Sequence, residues 1–99
     1  MLSTTDHNTL VAAAENVSQG NLETALAATA TEIAALEQAD AALPRIPQGL
    51  WSVDPVAVER RAISDAAERA HLTFSVLVRR LPLAVQVARG YWQDWTAAS

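Results

Sequence analysis

Cysteine is absent from the 99 residues. That excludes a disulfide framework and a thiolate metal site, and leaves a small fold to be held by helix packing or by a partner. Aromatic residues make up only 5%, and the apolar content is dominated by alanine, a small helix-favouring side chain. Lysine is missing as well, so every basic side chain is an arginine. No apolar run approaches the ~20 residues that span a bilayer. The opening stretch MLSTTDHNTL has neither the positive start nor the continuous apolar segment of an export leader. These absences predict a chain with no membrane insertion, residing in the cytoplasm or exported by a leaderless route. Asn16-Val17-Ser18 fits a glycosylation acceptor, and without a leader the match is expected to be accidental. A chain of this length buries only about 60 to 65% of its unfolded surface, which excludes a large multi-domain enzyme.

Hydrophobic residues at 51% and charged residues at 18% place the sequence among globular proteins. The net charge of -4 conceals two halves of opposite sign. Asp6, Glu15, Glu23, Glu32, Glu37 and Asp40 precede residue 44 with no base among them. Arg45, Arg60, Arg61, Arg69, Arg79, Arg80 and Arg89 all follow it. Folding the halves antiparallel sets an acidic element beside an arginine-bearing one, which favours orientation more than net stability.

Helical spacing organises both halves into one all-α domain spanning 1–99. Thr5 or Asp6 is placed to cap a first helix carrying Leu10, Ala14 and Val17. Ser18 to Asn21 then interrupt the pattern, with Gly20 as the point where a helix bends or ends. From Leu22 the steps Leu26, Thr29, Ile33, Leu36, Asp40 and Leu43 alternate four and three, a near-heptad seam. Residues 6–43 thus form an acidic arm. Pro44, Pro47 and Gly49 make 44–53 a proline-rich turn. Asp54-Pro55 reads as a cap followed by proline at the first helical position. The arginine-bearing arm, 54–97, carries Val56, Ile63, Ala67, Ala70, Phe74, Leu77 and Leu81, and the phase runs on through Ala84, Ala88, Tyr91 and Trp95. Pro82 interrupts that arm, and the unbroken phase favours a kink there over a division. The expected fold is an antiparallel helical hairpin or a small four-helix bundle, kinked near Gly20 and Pro82.

Catalytic patterns are largely missing. His7 and His71 lack the spacing of a helical zinc pair, and Gly20, Gly49 and Gly90 are isolated rather than gathered in a phosphate loop. Neither a cofactor nor a metal is expected. One enzymatic alternative survives: Arg79-Arg80 with Glu32 or Glu37 opposite would form an anion site between the arms. The extra apolar positions Val11, Val58, Val78, Leu83, Val85 and Val87 exceed what two helices cover, which points to a second chain. Leu22, Leu26, Ile33, Leu36, Phe74 and Leu77 are expected at the partner interface or in the core. Trp51 pins the turn or anchors a partner; the aromatics Tyr91, Trp92 and Trp95 cap the core or, with Asp94, form a docking end.

About one hundred residues, two helical arms and a central turn bearing tryptophan resemble the Trp-x-Gly hairpin family of bacterial type VII secretion substrates. The turn here reads Trp51-Ser52-Val53 instead of Trp-x-Gly. Tyr91 and Asp94 stand three apart, where that family's export signal has four. The resemblance implies a dimer packed as a four-helix bundle, recognised by a secretion ATPase through its C-terminal end. A second, local likeness runs from Ala67 to Leu81, which resembles the two-helix segment of ribbon-helix-helix repressors and antitoxins. It implies a turn at His71–Ser75 and DNA binding. Residues 46–53 lack the basic reading strand, and an acidic chain lacks the electrostatic footprint for phosphates. The sequence therefore predicts a non-enzymatic helical protein–protein interaction module that pairs with itself or with a related helical protein.

Overall fold

A computed structural model describes residues 2–43 and 55–91. The chain is all-α: α1 (Thr4–Glu15), α2 (Leu22–Ala42), α3 (Pro55–Arg79) and α4 (Leu83–Ala88), with a 3₁₀ turn at Gln19–Asn21 between the first two. No strand occurs among the described residues. The proline-rich turn at 44–53 and Asp54 lie outside them.

Ser3 opens α1, its hydroxyl accepting the Asp6 backbone N–H at 3.1 Å. The cap therefore stands before the expected Thr5 or Asp6, which both lie in the first turn, where the Asp6 carboxylate favours the exposed N–H groups. The interruption that follows divides two helices. Val17 and Leu22 both lean on the core, yet five residues of continuous helix at about 100° each would point them roughly 140° apart. Breaking the helix lets both face inward. Gly20 has an ordinary φ, and a Cβ added there would meet nothing within 4 Å. The phase mismatch, and not glycine's freedom, sets this break.

Pro82 also divides rather than kinks, against the expectation from the continuous phase. α3 stops at Arg79, and the Arg80 and Leu81 N–H groups tighten the last turn onto Leu77 and Val78 carbonyls at 3.1 and 3.0 Å. Pro82 has no N–H to continue the ladder and stands extended as the cap of α4. The Gln86 amide donates to the Leu81 carbonyl at 2.9 Å, satisfying an acceptor that the break strands. The chain then turns back, and Tyr91 meets Phe74 edge-on with ring centroids 5.6 Å apart. Gly90, at φ +81, takes the left-handed conformation that commonly ends a helix.

Two helices pack on α3, and they run in opposite senses. Asp40 against Arg60, with Leu22 and Leu26 in one core with Val76, Leu77 and Val78, shows α2 antiparallel to it; Asp6 against Arg69, with the Ala14 carbonyl against Arg80, shows α1 parallel. The result is a helical hairpin, α2–α3, with α1 and α4 folded onto one end. Ala14, Leu22, Leu26, Val76, Leu77, Val78 and Leu81 form the buried core at that end. The molecule measures 51 × 28 × 26 Å. Its radius of gyration, 16.1 Å, exceeds the roughly 13 Å of a compact chain of this length.

Candidate functional site

Burial divides the hairpin in two. Every buried residue falls between Ala14 and Thr29 or between Ala70 and Gln86. In the other half, residues 30–43 and 55–69, none is buried. The heptad seam nevertheless continues there: Ile33 and Leu36 on α2 and Leu43 at its C-terminal cap, with Val56 and Ile63 on α3, are half-buried, and Val58 is 54% exposed. Two helices alone can cover only the facing stripe of each other. The closed half differs because α1 and α4 add flanks. Asp6 lies in the first turn of α1 and meets Arg69, so α1 covers α3 from about that level onward and leaves the open half bare.

Within the closed half, α1 and α2 stand apart over α3 and leave an apolar cleft of about 300 Å³. Leu10, Ala13, Ala14 and Val17 form one wall, Ala25, Ala28 and Thr29 the other, and Thr73 and Leu77 the floor. The space opens where Ala13 and Ala14 of one wall stand opposite Ala25 and Ala28 of the other. The Thr29 hydroxyl donates to the Ala25 carbonyl at 2.8 Å, and no titratable group lines the cleft. It can hold an apolar side chain; its lining residues include no acid and no base.

The opposed charges become contacts between the halves of the chain. Arg89 grips Glu23 through two hydrogen bonds of 2.9 Å, Arg69 approaches Asp6 and Arg60 approaches Asp40 at 3.5 Å. The fork geometry of Arg89 holds the Glu23 carboxyl below its ordinary value and raises the guanidinium in turn. All three pairs are solvent-exposed, so they set register more than they stabilise. Arg80 instead donates to the Ala14 carbonyl at 2.9 Å and ties down the end of α1.

The expected interface residues separate accordingly. Leu22, Leu26 and Leu77 are deeply buried and serve as the chain's own core, so no partner reaches them in this fold. Ile33 and Leu36 lie on the open half. Phe74 and Tyr91 are packed on each other, half-buried, which makes Tyr91 a cap on the core instead of a free docking aromatic. Trp51, Trp92, Asp94 and Trp95 lie outside the described residues. Of the surplus apolar side chains, Val58, Leu83 and Val87 are exposed and Val78 is buried. The cleft was invisible in the sequence, because alanine fits a helix anywhere and carries no signal of which face it lines.

The structure does not assemble the two alternatives. His71–Ser75 lie inside α3, which runs unbroken to Arg79, so the turn required by the ribbon-helix-helix likeness is not formed. The antiparallel register that pairs Asp40 with Arg60 sets Glu32 and Glu37 alongside Ile63–Glu68, well away from Arg79 and Arg80 at the other end. Among the described residues no three His, Asp or Glu side chains gather as metal ligands, and no helix is long and apolar enough to cross a membrane. No family model, curated protein or solved structure matches this chain.

Proposed function

We propose that the protein is a non-enzymatic helical interaction module that pairs through the open half of the α2–α3 hairpin. The partner is a second copy or a related helical protein, and pairing completes a four-helix bundle of the kind that the type VII hairpin resemblance implies. Under that resemblance the module is an exported or secretion-associated protein. One observation carries the reading: the apolar seam runs on through Leu43 and from Val56, while nothing in that half is buried. Apolar surface left half-covered gains about 25 cal/mol for each Å² that a partner removes from water.

Light scattering over a range of concentrations, together with amide hydrogen exchange, tests it. Self-pairing gives a dimer or larger species that Leu36→Arg disperses. A monomer whose seam amides between 30 and 43 exchange freely excludes its own copy and leaves the related partner. A monomer that protects those amides as well as residues 22–29 has no seam to offer, and the reading fails.

A further inference from the structure

The closed half shows what the flanks of α2 require, and from it we infer the chemistry of the partner: a helix bearing arginine or lysine beside an apolar seam, not a second copy of this chain. The inference rests on the pairing reading above. Along α2 the seam positions Leu26, Thr29, Ile33, Leu36 and Asp40 alternate as the a and d sites of a heptad. Glu23, Glu32 and Glu37 then occupy the neighbouring e and g sites, whose charges select partners in packed helices. In the closed half one such acid is answered: Arg89, the residue that caps α4, grips Glu23 with two hydrogen bonds. In the open half Glu37 stands on the same e flank of the seam as Glu23, and Glu32 on the opposite g flank; both are exposed and meet no arginine among the described residues.

A second copy answers them poorly. The open half carries Glu32, Glu37, Asp40, Glu59, Asp65 and Glu68 against Arg60, Arg61 and Arg69. Arg60 and Arg69 already engage Asp40 and Asp6. Two such surfaces brought face to face place like charge on like charge, which opposes association. A basic helix laid along either flank of α2 in the open half extends over the seam and gives the acid on that side, Glu37 or Glu32, what Arg89 gives Glu23.

Two synthetic peptides of about three heptads test this against the full chain. Both carry leucine at a and d; one has arginine at e and g, the other glutamate. Titration followed by fluorescence anisotropy should show the arginine peptide binding at least tenfold more tightly, with the preference shrinking as salt rises. Glu37→Gln or Glu32→Gln, according to the flank the peptide occupies, should weaken it by about two- to fivefold, with the thermal melt of the free protein unchanged. Equal binding of both peptides overturns charge selection and leaves the docking surface standing. Failure of both overturns the inference. Self-association abolished by Leu36→Arg then makes the second copy the occupant, whereas a monomer with a protected seam removes the pairing reading too.

Discussion

The two halves of the α2–α3 hairpin obey one sequence rule and meet different fates. From Leu22 to Thr29 the seam is buried; from Ile33 to Leu43, with the same spacing, it is only half-covered. Side-chain size does not explain this, since Ile33 and Leu36 are as large as Leu22 and Leu26. The difference lies in what flanks them. α1 and α4 lie against one end of the hairpin, and burial there needs three or four helices where two do not suffice. Heptad spacing tells a helix which face to turn inward; only additional mass on that face makes it an interior.

The widest gap is expected in core truncation. Leu77→Ala removes a side chain 1% exposed and should cost about 2–5 kcal/mol in urea unfolding. In dilute protein Leu36→Ala should cost less than about half as much, because its site already opens to water. Similar costs for the two would erase the distinction between the halves.

Hydrogen exchange should resolve the same boundary. Amides of 22–29 and 70–78 are expected to exchange on the order of tenfold more slowly, or better, than those of 33–43 and 56–67. Uniform protection along both helices would show that the hairpin opens as one unit.

The return of α4 helps to close the closed half, and Gly90→Ala probes it. At φ +81 an alanine should cost about 1 kcal/mol. Gly20→Ala, at an ordinary φ with open space around it, should be neutral or slightly stabilising. A reversed order would assign the α1–α2 break to glycine after all.

The smallest effect concerns acid. Arg89 holds the Glu23 carboxyl below its ordinary value of 4.5, so the folded state binds the proton less readily than the unfolded chain. Its contribution is therefore present above the unfolded carboxylate value and is lost as pH falls through the lower folded one. The stability difference between the natural protein and Glu23→Gln should shrink on acidification, and a constant difference would deny the pair any role in fastening α4.

Much of the fold was legible. Pro55 opens a helix as its rigid φ suggests, the heptad steps of α2 do mark its inner face, and the opposed charges meet as Asp6–Arg69, Glu23–Arg89 and Asp40–Arg60. Pro82 was misread because unbroken periodicity describes which residues face inward, and a chain that reverses can keep that pattern without keeping its helix. Of the two roles open to Tyr91, core cap or docking aromatic, the helix end it occupies could not choose, because the Phe74 ring it packs against comes from a distant part of the chain. The deep leucines expected at an interface or in the core became the chain's own core, since α1 and α4 reach them first.

Composition and spacing by themselves determined an all-α chain, the inner faces of its long helices and the sign of charge on each half, because these follow from residue type and from a period counted along the chain. Tertiary structure alone decided where the helices stop, which end of the hairpin is covered and which acids find an arginine. Those outcomes depend on elements distant in sequence arriving at the same place, and no local pattern records that arrival.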